Sequence, residues 1–213
     1  GERMVIEFEI AYKSKGILGA GLDTPVVHNG TFFSSDYLPH IGYQPDFELS
    51  DDRDRKRHGL LPKERALARD DAKGLSNNYI SNDADWISFD AVIGTSADQT
   101  AIAPGSLVQE WSSKGRRYYH YKAEQPILNL YAFQSARYEV RHDRWRDVAI
   151  DIYYHDGHTY NLDRMIKGVK DSLAYYTTKF GPYPHKVVRI VEFPRYGQFA
   201  QSLPNTIPSS ESI

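Results

Sequence analysis

Two histidines carry the first candidate chemistry in the sequence. His155 and His158 flank the dipeptide Asp156-Gly157, and two imidazoles at this spacing can bind a metal ion. The sequence offers no third ligand beside them, whereas protein zinc sites use three or four protein ligands. A solvated turn between two structural elements is therefore favoured over a metal site.

Motifs for other kinds of catalysis are absent from the sequence. It contains no Gly-rich phosphate loop, no Gly-x-Ser-x-Gly nucleophile elbow and no His-Glu-x-x-His zinc motif. It also contains no cysteine, which excludes disulfides, thiolate zinc sites and a cysteine nucleophile. Taken alone, the residues show no complete active site.

Composition narrows the class of protein. The chain has 213 residues, with 26 Lys and Arg against 28 Asp and Glu, and a net charge of −2. A dedicated nucleic-acid binder would need a basic excess, so nucleic acid is not expected as a partner. Hydrophobic residues make up 40% of the chain, which predicts a folded domain. No apolar run approaches the ~18 residues of a membrane span.

The first two thirds of the chain predict a β-rich domain. Alternating or apolar segments separated by turn residues are typical of strands in an antiparallel β-sandwich or saddle. The predicted strands are residues 4–12, 86–93, 106–111, 116–122, 127–140 and 147–154. Sixteen tyrosines suit half-buried sheet faces, and a stacking platform for bases or sugars is the alternative.

Two shorter segments have two readings each. Asn29-Gly30 lies between apolar pairs, which predicts a tight hairpin, and Asn29-Gly30-Thr31 is also a glycosylation sequon. Residues 51–73 mix both signs of charge, which predicts a solvated loop with a short exposed helix. A phosphate-binding patch is the alternative for that segment.

The pattern changes after Tyr154. Apolar residues recur at steps of three and four from Leu162 to Phe180, which predicts an amphipathic helix of about five turns. Asn161 or Thr159 can cap its start, and the Gly-Pro pair at 181–182 ends it. A buried strand over 186–193 and a Pro-rich loop over 194–213 follow. We expect two domains, residues 1–140 and 141–213.

The segment after this helix resembles a known enzyme family. Residues 175–184 read Tyr-Tyr-Thr-Thr-Lys-Phe-Gly-Pro-Tyr-Pro, and residues 186–194 read Lys-Val-Val-Arg-Ile-Val-Glu-Phe-Pro. This order is similar to the gluzincin aminopeptidases, the family of aminopeptidase N and leukotriene hydrolase. There, a helix ends in a Phe-Gly-x-Pro-Tyr-Pro-like turn, and a strand and the exopeptidase loop Gly-x-Met-Glu-Asn follow.

The rest of the chain fits the same resemblance more loosely. Residues 4–140 resemble the later part of the family's N-terminal saddle domain, with Leu38-Pro39-His40 at its Phe-Pro-Cys-like turn. The resemblance implies a mainly β fold with a C-terminal α+β portion. In it, an antiparallel β-sandwich or saddle is followed by the start of a thermolysin-like catalytic domain.

The resemblance also implies substrate-binding residues. Laid over the exopeptidase loop without gaps, residues 199–203 take the Gly-x-Met-Glu-Asn positions, so Ala200, Gln201, Ser202 and Leu203 are expected along the substrate backbone. Asn29 and Thr31 are expected near its amino end. Ser202 stands where the family has the Glu that binds the substrate α-amine. A neutral hydroxyl lacks that charge-assisted bond, worth about 1.5–3 kcal/mol, which puts aminopeptidase specificity in doubt.

The implied function is that of one part of a zinc metallopeptidase acting on peptides. The chain would supply the β domain and one wall of the substrate cleft. It ends at Ile213, before the family's zinc ligands, so this stretch is expected to hold no cofactor and to be inactive alone, with zinc in the full-length protein. Apolar surface on the helix over 159–180 also predicts dimerisation.

Two other functions compete with this one. The missing α-amine Glu favours a non-catalytic module that binds a peptide or a partner. A bacterial variant of the family, fused behind permease segments, implies an extracytoplasmic domain of a transporter-associated membrane protein. A free-standing β-sandwich that binds carbohydrate is the third reading.

Overall fold

The computed structural model describes residues 4–13, 25–27, 29–42, 44, 47–63, 68–76, 85–193 and 199–210. Strands account for 41% and helices for 18% of the structure, so the predicted mainly β class is confirmed. Among the described residues, no helix combines the length and hydropathy needed to cross a membrane.

The strands form two groups along the chain. The first is β1 Val26–Val27, β2 Gly30–Ser34, β3 Trp86–Ile87, β4 Asp90–Ser96, β5 Thr100–Ile102, β6 Ser106–Ser113, β7 Arg116–Lys122, β8 Ile127–Leu128 and β9 Ala132–Ala136. The second is β10 Tyr138–Trp145, β11 Val148–His155, β12 Val187–Phe193 and β13 Thr206–Ser210. The helices are α1 Asp52–Arg57, α2 Ala72–Ser76 and α3 Leu162–Phe180, and a 3-10 turn covers Ser35–Tyr37.

The first group builds antiparallel sheets around one apolar core. Their strand orders are β1-β2-β9-β5, β4-β7-β6 and β3-β8. The core side chains come from several of these strands and the loops between them, and they are Phe89, Ala101, Ala103, Tyr119, Tyr121 and Ile127. The Tyr121 hydroxyl donates to the Ala101 carbonyl at 3.0 Å, so a phenol is buried here with its polar end satisfied.

A tight turn at Pro104-Gly105 lies between β5 and β6. Gly105 has φ +90°, a value that side chains other than hydrogen rarely tolerate. A Cβ added there would lie 2.3 Å from the carbonyl carbon and oxygen of Lys122, at the end of β7. Two separate features therefore require glycine at this position: the positive φ of the backbone and the close approach of β7.

The second group forms one mixed sheet in the order β10-β11-β12-β13. β10 and β11 pair as an antiparallel hairpin, whereas β12 and β13 run parallel to β11. α3 makes the crossover between β11 and β12, and its Leu173 packs on Val148, Ile150 and Val188. The α+β character predicted for the C-terminal portion is confirmed.

Helix α3 has the predicted limits. Its first turn has no side-chain cap, because Asn161 is left-handed with φ +67° and makes no capping bond. The side-chain oxygen of Asn161 instead accepts from Arg164 Nη1 at 3.3 Å. At the other end, Gly181 with φ +111° donates its N–H to the Thr177 carbonyl. The predicted capping was therefore wrong at the start and right at the end.

The predicted strand over residues 4–12 is wrong in this structure. Residues 4–13 have no regular secondary structure and are exposed throughout. An alternating pattern becomes a strand by pairing with a neighbour, and no described strand pairs with this segment.

Three other predicted boundaries need correction. The strand over 86–93 is divided into β3 and β4, which pair with β8 and β7 respectively. β4 also extends beyond the predicted limit, to Ser96. The strand over 127–140 is divided among β8, β9 and the start of β10. The loop over 194–213 contains β13, whose small polar residues and Pro208 conceal a strand pattern.

The charged segment contains the predicted short helix, α1. Its N-cap is Asp51, whose carboxylate accepts from the backbone N–H groups of Arg53 and Asp54. One side chain in this segment is buried, although the whole segment was predicted to be solvated. Arg55 is buried, and its guanidinium pairs with Glu48 at 2.9 Å and also donates to the carbonyls of residues 49 and 61.

Candidate functional site

The predicted substrate loop is an extended segment along the edge of the mixed sheet. Residues 199–203 run antiparallel to β13. The backbone carbonyl of Phe199 accepts from the Ser210 N–H at 3.2 Å, and the Gln201 N–H donates to the backbone carbonyl of Pro208 at 3.2 Å. The bridge between Ala200 and Ser209 lies between these two bonds. In this register the backbone groups of residues 200 and 202 point away from β13. No described residue bonds to these groups, so within the part of the chain that the structure describes they form a free edge.

A buried asparagine anchors the end of this segment. The Leu203 and Thr206 backbones bond to each other at 2.8 and 3.1 Å and close a tight turn. Asn205, in that turn, has φ +47°. Its side chain accepts from the Gly105 N–H at 3.3 Å and donates to the Gly105 carbonyl at 3.2 Å. The loop is thus fixed to the β5–β6 turn of the first group.

An apolar groove lies beside the free edge. Its volume is about 650 Å³, and its walls come from α3, the turn after it, β12 and residues 202–207. Ser202 and Leu203 belong to its lining. The exposed fraction of Phe180, at the end of α3, is 79%. The uncovered apolar face predicted for this helix is present, and the dimer inferred from it stays a prediction.

The other two candidate residues lie in the β1–β2 hairpin. The hairpin is confirmed, but its turn is displaced by one position, because Val27 pairs with Gly30 and Asn29 lies in the turn. Thr31 lines a different cavity, of about 300 Å³, together with Ser135. The structure therefore places Thr31 and Ser202 in separate cavities. Contact of Asn29 and Thr31 with a substrate stays a prediction.

The strand β9 contributes a residue that the sequence analysis missed. Gln134 is 1% exposed, and within the described residues neither of its amide atoms has a hydrogen-bond partner. It lies opposite Phe32 in the β2–β9 register, so both side chains share one face of the sheet. Phe32 stacks on Phe193 at 4.8 Å and meets Phe199 at 5.7 Å. Gln134 thus belongs to the face that meets β12 and the candidate loop.

The histidine pair forms a polar link between β11 and β12. His158 Nδ1 lies 2.7 Å from one carboxylate oxygen of Glu192, and the other oxygen accepts the His155 backbone N–H at 2.7 Å. Gly157, with φ +84°, makes the turn between the histidines. The predicted turn is present, but the His158 ring is hydrogen-bonded to Glu192 and is not simply solvated.

A buried arginine occupies the junction of the two groups of strands. Arg189 on β12 is 4% exposed. Its guanidinium lies 5.3 Å from the centre of the Tyr121 ring and donates to the Ala103 carbonyl at 3.3 Å. Burial raises the pKa of Tyr121 and of Tyr153, and the charge of Arg189 opposes that rise. The cation therefore lies among neutral phenols.

The turn after α3 contains two groups whose pKa is moved by burial. Burial raises the pKa of Tyr183 to about 12, and it lowers the pKa of His185 below its ordinary 6.5, although Glu124 acts in the opposite sense. The two rings meet edge to face at 5.4 Å.

The lowered pKa of His185 predicts a pH dependence of stability. The unfolded chain takes up this proton more readily than the folded chain, so the contribution of neutral His185 is complete above its ordinary pKa of 6.5 and is lost as the pH falls below it. Urea titrations at about pH 7.5 and pH 5 should show a smaller pH-dependent loss of unfolding free energy in His185→Gln than in the unmodified chain. Equal losses in both proteins would contradict this assignment.

Comparison with solved structures identifies the fold of part of this chain. No protein-family model and no curated protein matches the sequence. A point mutant of a two-domain M1 zinc metallopeptidase bound to L-arginine matches with a TM-score of 0.53 and 17% identity, over 61% of this chain and 31% of that one. The M1 zinc metallopeptidase from Deinococcus radiodurans matches with a TM-score of 0.52 and 17% identity, over 60% and 31%.

Over the matched part, this chain has the fold of the M1 zinc metallopeptidases. These enzymes are gluzincins, so the resemblance seen in the sequence is confirmed at the level of the fold. The chain spans about a third of the length of these structures, 31%.

The zinc of these enzymes has no matching donor set in the described part of this chain. There, no three His, Cys, Asp or Glu side chains come together as a metal site requires. Nδ1 of His158 is already bonded to Glu192. The described residues therefore do not supply a zinc site.

Proposed function

We propose that this chain is part of an aminopeptidase-like zinc metallopeptidase, in which it supplies the β domain and one wall of the substrate cleft. One observation carries the proposal: residues 199–203 present a free strand edge beside the groove under α3. The fold shared with M1 zinc metallopeptidases supports it. The zinc ligands and the general base would come from residues outside this chain.

A free edge of this kind suits an extended peptide. A peptide that adds to a sheet edge gains main-chain hydrogen bonds, and its alternate side chains enter neighbouring pockets. In the proposal, the backbone of Ala200 and Ser202 binds the substrate main chain. Gln201 and Leu203 hold the segment on β13, and the groove receives a side chain.

The test is activity and metal content of the complete protein encoded by the gene. We expect about one zinc per chain and hydrolysis of aminoacyl anilides that a chelator abolishes, since zinc supplies the Lewis acid in this class. Residues 1–213 expressed alone are the matched control and should show neither. A complete protein that folds but lacks both zinc and hydrolysis would overturn the proposal.

The position of Ser202 predicts a gain of specificity. In the complete protein, Ser202→Glu should raise kcat/KM for substrates with a free α-amine by about tenfold relative to N-acetylated ones, because a charge-assisted bond is worth about 1.5–3 kcal/mol. Gln201→Glu is the matched control, since Gln201 is the adjacent exposed residue and does not line the groove. Equal responses of the two variants would remove Ser202 from the amine-binding position.

A non-catalytic binding module is the second candidate function. The neutral Ser202 favours it, because the family carries a carboxylate at that position. It predicts that the complete protein binds peptides without turnover and that chelators leave binding unchanged.

Limited proteolysis tests the carbohydrate-binding sandwich, which requires residues 1–140 to fold after loss of residues 141–213.

A further inference from the structure

The cavity that contains Thr31 lies away from the proposed cleft. It has a volume of about 300 Å³ and is bounded by β2, β9, β4 and the first residue of β7. Thr31 and Ser135 pair across β2 and β9, so they share the face opposite Phe32 and Gln134. Phe32 packs on Phe193. The cavity and the proposed peptide edge are therefore on opposite faces of one sheet.

The floor of the cavity is an ordered polar cluster. Gln99 Oε1 accepts from Thr95 Oγ1 at 3.0 Å and from Ser135 Oγ at 2.8 Å, and the two hydroxyl oxygens also contact each other. The Gln99 backbone is fixed as well, by Ser96 and by the Tyr119 hydroxyl. Because the oxygen of Gln99 is directed at the hydroxyls, its Nε2 group points elsewhere, and it donates to no described residue.

The rim of the cavity carries a positive charge. Arg116 is the one charged residue among the described lining residues. Its Nη2 donates to the Gly94 carbonyl at 2.6 Å, which holds the guanidinium over β4, and no described carboxylate pairs with it. The walls are apolar and include Ile93 and Phe133. The cavity thus combines unused donors, one cation and an apolar wall.

We propose that this cavity binds a small carboxylate with an apolar body. The carboxylate pairs with Arg116, the amide of Gln99 is a second donor, and the apolar body lies against Ile93 and Phe133. A volume of about 300 Å³ is at the lower end of the range for small-molecule sites. A free acid and the C-terminus of a peptide share this chemistry. The proposal is independent of the peptidase function.

The experiment is a titration of the ¹⁵N-labelled chain followed by NMR. The probes are phenylacetate, its neutral analogue phenylacetamide, and the peptide Gly-Gly-Phe. We expect saturable shifts of the Thr95 and Gln99 signals by a carboxylate, with a dissociation constant at or below about 10 mM, the scale for so small a ligand. Tighter binding of phenylacetate identifies a free acid as the ligand, and tighter binding of Gly-Gly-Phe identifies a peptide C-terminus.

Variants test whether carboxylate binding depends on the charge of Arg116. Arg116→Gln should weaken carboxylate binding by about tenfold or more. Arg117→Gln is the matched control, because that guanidinium pairs with Glu110 and lies over the Tyr119 ring; it should change affinity by less than about twofold. Gln99→Glu, which replaces the donor by a carboxylate, gives a second test should Arg116→Gln fail to fold. Absence of saturable shifts, equal binding of phenylacetamide, or unchanged affinity in Arg116→Gln and Gln99→Glu would each overturn the proposal.

Discussion

Gly105→Ala should reduce the free energy of unfolding by about 3–5 kcal/mol. The new Cβ would have to occupy a position 2.3 Å from the Lys122 carbonyl group, so the β5–β6 turn and the end of β7 must separate. Displacing packed groups costs about 1–3 kcal/mol, and a strained backbone conformation costs a similar amount. Since small domains are stable by about 5–15 kcal/mol, this change removes a large fraction of the total. Urea denaturation followed by circular dichroism measures it.

Gly115→Ala is the matched control for this change. Gly115 also has a positive φ, +73°, but apart from its chain neighbours no described residue has an atom within 4 Å of an added Cβ. It should lose about 1–2 kcal/mol, the cost of a left-handed non-glycine residue. If both variants lose the same amount, backbone conformation accounts for the whole effect, and the close approach of β7 does not contribute.

Asn205→Ala should reduce the free energy of unfolding by about 2–4 kcal/mol. The change leaves the buried N–H and carbonyl of Gly105 without the partners they have now, and each unsatisfied buried group costs about 1–3 kcal/mol. It also releases the turn that ends the candidate substrate segment. Amide exchange at residues 200–203 should therefore accelerate more than exchange in β10 and β11.

Asn161→Ala separates backbone conformation from hydrogen bonding in this test. Asn161 has φ +67° and an exposed side chain that bonds to Arg164. Replacing it by Ala costs about 1–2 kcal/mol of stability, because Ala is strained in the left-handed conformation. The change leaves no buried polar group of the kind at Gly105 without its partner. A loss in Asn205→Ala no larger than that in Asn161→Ala would show that the link to Gly105 contributes nothing to stability.

Local sequence patterns were sufficient for the elements whose partners lie nearby. Helix α3 is predicted to its limits because its apolar stripe and Gly181 are properties of neighbouring residues. Strands β11 and β12 follow from the same kind of evidence, whereas residues 141–145 of β10 were not predicted as a strand. Residues 4–12 show the limit of this reasoning, since an alternating pattern defines a strand surface but not the strand that pairs with it.

The contacts that shape the candidate site were beyond such reasoning. Asn205 and Gly105 are 100 positions apart, and no local pattern indicates that they meet. Gln134 gave a weak signal, a polar amide within the apolar strand β9, but its significance depends on the face it shares with Phe32. Ser202 came from resemblance alone, and the structure adds that its backbone lies on a free edge.

The mixed pairing of the second sheet also predicts an order of assembly during folding. β10 and β11 meet through a turn at Arg146, and hairpins of this kind form in about 1–10 μs. β12 can join them after α3 has formed and carried the chain across the sheet, and β13 follows β12. Pairings between distant segments raise the contact order and slow folding. We therefore expect residues 138–155 to form first, and the parallel half of the sheet, with the candidate substrate edge, to form last.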